Sequence, residues 1–585
     1  MALHWLGSST REAGYRFGSL ALVAPILERM DLAGIINRHL PADPQAEYAY
    51  GPLLSLLVAA RLANPVALVN VADWAAEAGA ELLWDIPPDK LTDDRLGRAL
   101  DAFYYQRHSI RACLALHVAQ TFNISLDRLH YDPTHIICHG SYEQSRPRAD
   151  PAPDRQRPYA DDPPAHITFG HAVPNTKMIH AGLCVAIDDL GAVPVLGHVT
   201  DGNHNGHTSI AEQCALLKEQ LPPGRRLLIS DRGTFSARHV ARCQQDNVTV
   251  LCSAPWNDYR ALYDQHRHQL QWQKASYLSI EQRRRRDCAS TLPLEHYELA
   301  VLRHHLIDPD TAAEIPCRVI FVFSTADAKV CQTTRAQTVA RLQSGLQQLA
   351  RSVNEGRRHT DPTSVARRIA KLFGQRGAAA YFHWELQPLT PDEQAALPPP
   401  TRGCRLPTHR LVYHYDAARA EADAAYDGLS VLVTTAPRIE SADVLFSQFK
   451  QQNEVELAHH QWKTPLAVHP VFLKNPRRVE ALVHLLMIAL TAYYLVQRQY
   501  RQAVEPDAPE TEKRTTTETL FRAFRNYTLL VERRPYGHVV HTTVLTQRQR
   551  QILQRLNVST PAERLSRKLP KPPTEAAQRA SPLQC

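Results

Sequence analysis

The sequence predicts an α/β protein: a mixed β-sheet with flanking helices, preceded by an all-helical N-terminal domain and interrupted by a large strand-rich insertion. Three observations support this class. Apolar residues recur at helical spacing through residues 1–125, strand-like runs begin at Leu126, and helical and strand patterns then alternate to residue 254. The 585 residues, 44% of them apolar, suffice for several domains with buried cores.

The N-terminal region carries the first helical patterns. Leu20–Met30 is a continuous apolar-rich segment, and Pro52–Val58 begins with proline, which is tolerated in a first helical turn. Leu96–Ala119 repeats apolar residues at roughly helical spacing. We therefore expect a helical N-terminal domain.

The next region alternates strands and helices. Two strand-like runs, 182–187 and 193–197, flank Asp188–Gly191, which is typical of a hairpin turn. Strands are further predicted at 128–132, 226–231 and 248–252, and helices at 208–220 and 235–244. This order favours a sheet with an antiparallel edge.

The rest of the chain divides by pattern and composition. Strands at 318–323 and 429–434, with a long helix at 334–354, predict an inserted strand-rich domain, and 440–500 reads as two helices. The predicted segments are 1–125 (helical domain), 126–254 (core, first part), 255–435 (insertion), 436–505 (core, C-terminal helices), 506–558 (basic segment) and 559–585 (disordered tail).

Composition narrows the function classes. Val479–Val496 is apolar enough to span a bilayer, but it contains Glu480 and His484, so we expect a buried helix and no membrane partner. The 11 cysteines form no CxxC pair, which disfavours a zinc site. With no signal-peptide pattern after Met1, we expect a cytoplasmic protein, associated with the nucleoid of a prokaryote if it binds DNA.

Charge is unevenly distributed along the chain. Residues 1–125 hold 10 Lys and Arg against 13 Asp and Glu, a net charge of −3, whereas residues 511–585 hold 14 against 5, a net charge of +9. The C-terminal segment is the better electrostatic candidate for a polyanion such as DNA. A solvated basic tail is the alternative.

Two aspartates stand at the ends of predicted strands. Asp132 is followed by Pro133, which cannot donate a ladder hydrogen bond, and Asp231 precedes a turn into a helix. Sites in open α/β sheets gather beyond the carboxyl ends of strands. Ordinary turn or helix-capping roles remain the alternatives.

A third acid lies in a helical stretch near the C-terminus. Phe449, Gln452, Glu456 and Lys463 have the i, i+3, i+7, i+14 spacing of one helix face. A solvated charged face is the alternative for an isolated glutamate.

Taken together, these blocks resemble DDE transposases of the insertion-sequence-4 superfamily, insertion-sequence-1634 type. The resemblance rests on Tyr131–Thr134, Ile167–His171, Asp201–Asn203, Ile229–Gly233 and Phe449–Lys463, with 224 residues between Asp231 and Glu456. Such proteins place a large insertion between their second and third catalytic acids.

The resemblance implies a ribonuclease-H-like core in which Asp132, Asp231 and Glu456 are catalytic and bind two Mg²⁺ ions, with Mn²⁺ able to substitute. It implies cleavage of DNA at insertion-sequence ends, strand transfer into target DNA, and action as a homodimer on terminal inverted repeats. The implied DNA contacts are Phe449, Gln452, Lys463 and Arg232; the basic run Arg283, Arg284, Arg285 and Arg286 could hold phosphates without reading sequence.

The sequence departs from the family pattern at two positions. Phe449 replaces a tyrosine, and Gln452 replaces an arginine able to clamp phosphate. An inactive or weakened transposase-derived DNA-binding protein, acting as a repressor, is therefore one alternative. A metal-dependent nuclease that cuts without rejoining is another.

Overall fold

A computed structural model describes residues 11–41, 45–147, 163–204, 217, 221, 224, 226–279, 282–283, 295–357, 361–374, 377–400, 405–437, 439–534 and 537–568. The helices of this part of the chain are α1 (Leu20–Arg29), α2 (Leu32–His39), α3 (Tyr50–Ala63), α4 (Val71–Ala78), α5 (Glu81–Trp84), α6 (Asp93–Thr121), α7 (Ala237–Gln245), α8 (Trp256–His266), α9 (Thr325–Asn354), α10 (Pro362–Phe373), α11 (Pro391–Ala395), α12 (Ala417–Ala424), α13 (Ala442–Lys450), α14 (Asn453–Lys463), α15 (Pro476–Gln502), α16 (Glu510–Lys513), α17 (Thr517–Phe524), α18 (Gln547–Arg555) and α19 (Pro561–Lys568).

The strands are β1 (Arg11–Tyr15), β2 (Arg128–Ile137), β3 (Thr168–Phe169), β4 (Lys177–Asp188), β5 (Gly191–Thr200), β6 (Arg226–Ser230), β7 (Val248–Ala254), β8 (Gln273–Lys274), β9 (Tyr297–Ile307), β10 (Glu314–Ser324), β11 (Phe382–Pro388), β12 (His409–Tyr415), β13 (Leu429–Thr434), β14 (Leu529–Arg534) and β15 (Gly537–Thr542). The protein is thus a mixed α/β molecule with a large mixed sheet and many helices. The predicted helix 208–220 falls almost wholly outside the described residues.

One sheet runs through the centre of the molecule, in the order β3-β4-β2-β6-β7-β13-β10-β9-β8, with β5 also paired to β4. Strands β5, β4 and β2 are antiparallel neighbours, whereas β6 and β7 run parallel to β2. The predicted hairpin is present, and Asp188 pairs with Gly191 across a two-residue turn in which Asp188 Oδ1 accepts the Leu190 N–H at 2.9 Å.

The strand carrying Asp132 does not end there, contrary to the expectation from Pro133. Strand β2 continues to Ile137, and Pro133 pairs in register with Gly182 of β4. The proline is tolerated because β6 has already ended at Ser230, so beyond Tyr131 the strand has a partner on one side only. Gly182 leaves room for the ring of Tyr131, since a Cβ at this position would lie 2.5 Å from the Tyr131 hydroxyl.

The predicted insertion is divided differently. Strands β9, β10 and β13 extend the central sheet, with β13 pairing β7 and β10. Residues 325–428, between β10 and β13, contain a separate core in which α9 and α10 pack on the β11–β12 ribbon through Leu346, Val365 and Leu411. A local strand pattern does not reveal which sheet a strand joins.

The N-terminal and C-terminal segments fold against each other. Strand β1 pairs antiparallel with β14, so the N-terminal region is not purely helical, and the Gly18 N–H donates to the Tyr527 carbonyl at 2.9 Å. Residues 561–568 of the predicted disordered tail form α19, whose Leu565 is buried; residues 569–585 lie outside the described part. The basic segment is therefore folded, and its strand β14 pairs with β1 of the N-terminal region.

The apolar helix α15 is a core helix. It is long and apolar enough to cross a membrane, yet its apolar stretch is wholly buried inside the protein. It packs against β5, α6 and α3. Residues 440–500 form three helices where two were predicted, because a break separates α13 from α14 at Gln451 and Gln452.

Candidate acidic site

Asp132 and Asp231 lie next to each other in the central sheet, at the point where β6 ends beside β2. Parallel strands β2 and β6 pair Tyr131 with Ser230, so the next residue of each chain segment is an aspartate at the same level. Both line a cavity of about 280 Å³, hereafter the Asp132 cavity, with Pro133, Thr134, His135, Ala172, His180 and Gly233. The topology thus brings together two residues that are 99 positions apart.

Asp231 also caps the turn that follows its strand. Its Oδ1 accepts the Arg232 N–H at 2.6 Å at the start of a short 3₁₀ helix, Arg232–Thr234. The residue is exposed, so the carboxylate keeps a solvent-facing side. A capping role and a role in the cavity are compatible, since a carboxylate has more than one acceptor site.

Helix α14 lies across β2 and is fixed to it by Gln452, immediately before the helix. The Gln452 Nε2 donates to the Tyr131 carbonyl at 3.0 Å, and its Oε1 lies 3.0 Å from His130 Nδ1. Gln452 and His130 are both buried, and burial lowers the pKa of His130 to about 4. The Gln452 amide is therefore committed to the sheet and is not displayed on the surface for DNA.

A second contact between α14 and β2 involves His459. Its Nε2 lies 3.3 Å from Asp132 Oδ2, and the histidine is only 7% exposed. Neither ring nitrogen has a hydrogen-bond partner among the described residues. The sequence signal that could identify this residue is a histidine three positions after Glu456.

Glu456 lies between these two contacts. At 100° per residue, positions 452, 456, 459 and 463 fall within about 60° of one another around the helix, whereas position 454 lies on the opposite side. Gln452 and His459 both contact β2, so this face of α14 is turned toward the strand, and the Glu456 side chain is exposed beside it. Glu456 therefore lies on the same helix as His459, which contacts Asp132, but it is not among the residues that line the Asp132 cavity.

Lys463 and several imidazoles surround the acids. Burial lowers the pKa of the half-buried Lys463, while the nearby Asp132 carboxylate opposes that change. Burial, followed by the positive field of Lys463, lowers the pKa of His135 to about 4, so this imidazole is neutral at pH 7. The cavity therefore combines two carboxylates with the neutral imidazole of His135, and the charge of Lys463 acts on it from nearby.

The other predicted DNA contacts are not gathered at this cavity. Phe449 lies in the last turn of α13 and packs, partly buried, against the core cluster that contains Phe446 and Ile320, so it does not share a helix with Glu456. Arg232 is exposed beside Asp231. Arg283 is exposed with its Nε donating to the Leu278 carbonyl at 3.0 Å, while Arg284, Arg285 and Arg286 lie outside the described residues.

The residues of the Asp132 cavity fit a divalent cation by their chemistry. Asp132 and Asp231 in the cavity, and Glu456 on α14, supply the oxygen ligands that Mg²⁺ and Mn²⁺ accept. His459 adds a buried ring in which Nε2 lies 3.3 Å from Asp132 Oδ2 and Nδ1 has no hydrogen-bond partner among the described residues. The ligand atoms of the three acids are not all within 4.8 Å of one another in the described structure. Side-chain rotation and substrate phosphate oxygens would complete the coordination, as Mg²⁺ sites commonly require.

The one close set of three ligand-type side chains among the described residues is elsewhere. His108, Glu480 and His484 have ligand atoms within 4.8 Å, between α6 and α15. The Glu480 carboxylate there is already paired with Arg107 Nε at 2.9 Å and accepts the Ala165 N–H at 2.8 Å. Because buried Arg107 balances the carboxylate, this set is a structural joint between two helices.

Comparisons with known proteins add limited information. Residues 15–114 match the family described as a domain of unknown function, DUF4277. No significant match was found among curated proteins. A cryo-EM structure of the piggyBac transposase synaptic complex with hairpin DNA aligns with 97% of this chain and 91% of its own, at 9% identity and a TM-score of 0.34. A score this low carries no argument about fold or function, which must come from the geometry above.

Proposed function

We propose that this protein is a DDE transposase of the insertion-sequence-4 superfamily, insertion-sequence-1634 type. The observation that carries the proposal is the meeting of two distant acids, Asp132 and Asp231, which line one cavity beside the parallel strands β2 and β6. Glu456, the third acid expected from the sequence, lies on α14, the helix whose His459 Nε2 is 3.3 Å from Asp132 Oδ2. The sequence alone had selected the same three residues.

The strand arrangement supports a ribonuclease-H-like core as part of this proposal. Three antiparallel strands, β5, β4 and β2, are followed in space by two parallel strands, β6 and β7. The first acid lies on the central strand of this block and the second at the end of its parallel neighbour. Asp231 thus follows the carboxyl end of β6, where α/β sheets place their sites, and Asp132 lies beside it within β2.

In the proposed reaction the protein cleaves a DNA phosphodiester bond at an insertion-sequence end and joins the freed 3′-hydroxyl to target DNA. Asp132 and Asp231 would hold two divalent ions, Mg²⁺ or Mn²⁺, and Glu456 would hold one of them. Bound ions would polarise the phosphate and stabilise charge on the attacking and leaving oxygens. Lys463, whose charge interacts with that of Asp132, would contact a DNA phosphate beside the acids.

Other features of the proposal follow from the same site. Its partners are double-stranded DNA, namely terminal inverted repeats and target DNA, and a second copy of the chain, since paired ends need paired active sites. The proposed location is the prokaryotic cytoplasm, on the nucleoid. No membrane partner is proposed, consistent with the burial of the one long apolar helix found in the described residues.

Two alternatives keep the same site but change the outcome. A catalytically weakened descendant would bind ends without cutting, and the replacement of the family's arginine by Gln452 favours it. A nuclease would cut without rejoining. Strand-transfer products separate the nuclease from the transposase, and metal-dependent nicking separates both from the DNA-binding descendant.

The test is incubation of the purified protein with labelled DNA carrying the element's end, in Mg²⁺, Mn²⁺ or chelator. Wild-type protein should cut at the end only with metal, and Asp231→Asn should bind the same DNA without cutting it. Asp189→Asn, which alters an exposed acid in the β4–β5 turn, is the matched control and should cut normally. Full cutting by Asp231→Asn would contradict the proposal.

A further inference from the structure

We infer that His459 is a fourth protein ligand at the metal site, so that Glu456 and His459 act together as a Glu-x-x-His pair on α14. The inference deepens the proposed function and rests on it. Neither the three-acid pattern nor the comparisons assign any role to this histidine.

The surroundings of His459 are those expected of a metal ligand. It is 7% exposed, and both ring nitrogens are buried without a hydrogen-bond partner among the described residues. A buried polar group in that state costs free energy unless something satisfies it. The group that Nε2 faces is the carboxylate of Asp132, the first of the proposed metal ligands.

The distance between the two side chains suits two ligands on one ion. His459 Nε2 and Asp132 Oδ2 are 3.3 Å apart. Ligand atoms bound at about 2.1 Å and separated by angles of about 90 to 109° at the metal lie about 3.0 to 3.4 Å apart. The observed separation falls within that range before any side chain moves.

The helix adds the second half of the argument. Residues three apart on a helix face project in the same direction, and Glu-x-x-His is the spacing by which single helices offer one carboxylate and one imidazole to metals in bundle cores. Glu456 and His459 have this spacing on the face of α14 that is fixed to β2 by Gln452. His460, the next residue, is exposed and lies about 100° around the helix from His459.

A nitrogen ligand would change which metal the site prefers. Mg²⁺ favours oxygen ligands, whereas first-row transition ions also accept an imidazole nitrogen; Mn²⁺ binds such ligands most weakly of that series but more readily than Mg²⁺ does. The inference therefore predicts tighter binding of Mn²⁺ than of Mg²⁺, and a preference that depends on His459 more than on the acids.

The experiment is Mn²⁺ binding to the full chain, followed by the loss of the free-ion EPR signal and by pulsed EPR for ¹⁴N modulation from a coordinated imidazole. Wild-type protein and His460→Gln should both bind Mn²⁺ with nitrogen modulation. His459→Gln should lose the modulation and at least about tenfold in Mn²⁺ affinity, with Mg²⁺ affinity, measured by competition, changing little. Circular dichroism of each variant checks that the fold is kept.

Three results would overturn the inference. Mn²⁺ bound to wild-type protein without nitrogen modulation would exclude a histidine ligand, and this readout does not depend on any variant. Modulation that persists in His459→Gln would assign it to another histidine. Equal losses of Mn²⁺ and Mg²⁺ affinity in His459→Gln, without nitrogen modulation in wild type, would make His459 a positioning residue for Asp132.

Failure of the proposed function gives a different pattern. If Asp132→Asn and Asp231→Asn bind Mn²⁺ as tightly as wild type, the acids are not the metal site and the function proposed above is wrong. If those variants lose Mn²⁺ while wild type shows no nitrogen modulation, the function stands and only the role of His459 is rejected.

Discussion

Two of the acid–histidine pairs among the described residues, Asp132–His459 and Glu480–His484, differ in what surrounds them. The Asp132–His459 pair lies beside an open cavity, and its carboxylate is 27% exposed. The Glu480–His484 pair is at most 1% exposed, and Arg107 neutralises its carboxylate. A carboxylate already paired with a buried cation serves packing, whereas one that faces a cavity and an unsatisfied imidazole is available for chemistry.

The largest effect should come from a substitution in the Asp132–His459 pair, hereafter the open pair. Asp132→Asn is expected to lower the rate of DNA end cleavage by about three orders of magnitude, because a metal ligand provides several kcal/mol of transition-state stabilisation. The unfolding midpoint should change little, since the side chain is partly exposed. Single-turnover cleavage with Mn²⁺ measures the first and thermal unfolding the second; near-normal cleavage would remove Asp132 from the site.

A substitution in the Glu480–His484 pair, hereafter the closed pair, should lower stability and not act on DNA cleavage directly. Glu480→Gln leaves Arg107 buried without its counter-charge, and the expected loss in the free energy of unfolding is about 3 to 5 kcal/mol. Denaturant unfolding measures it. Glu518→Gln, which breaks an exposed pair with Arg522, is the control and should change stability by less than about 1 kcal/mol. An unchanged stability for Glu480→Gln would mean that the joint does not hold the two helices.

The expected effect of replacing Gln452 on stability lies between those of Asp132→Asn and Glu480→Gln. Gln452→Ala removes two buried hydrogen bonds, one to the His130 ring and one to the Tyr131 carbonyl, so a loss of about 2 kcal/mol in unfolding free energy is expected. Gln452→Arg, which restores the family's residue, should destabilise the protein and not tighten DNA binding, because it places a charge in a buried position. Tighter DNA binding by Gln452→Arg at unchanged stability would show that the residue can reach DNA.

The smallest effect should come from replacing Lys463, the cation beside the open pair. Lys463→Ala is expected to weaken DNA binding severalfold and to reduce the slope of log K against log salt by about 1, as expected for one lost phosphate contact. Fluorescence anisotropy over a salt series measures the slope. Lys329→Ala, an exposed lysine on α9, is the control; equal slopes for both variants would remove Lys463 from the interface.

Local sequence patterns predicted the elements that depend on local interactions. The hairpin around Asp188–Gly191, the strands that became β6 and β7 and the helix that became α7 were all recognisable from neighbouring residues. The burial of α15 was also predictable, because Glu480 and His484 within an apolar run indicate a partnered core helix.

Features set by distant contacts were not predictable. The pairing of β1 with β14 joins residues more than 500 positions apart, and no periodicity encodes it. The break before α14 follows from the anchoring of Gln452 on β2, although Gln451 and Gln452 are ordinary helix formers. His459 was overlooked for the same reason, since only the crossing of α14 over β2 brings it to Asp132.

The most direct test of the central claim is anomalous diffraction from crystals of the protein with DNA ends and Mn²⁺. The account predicts strong Mn²⁺ peaks in the Asp132 cavity, contacted by Asp132, Asp231 and Glu456, and none between His108, Glu480 and His484. Peaks at the closed pair, or a DNA-bound structure with no ion at the Asp132 cavity, would contradict it.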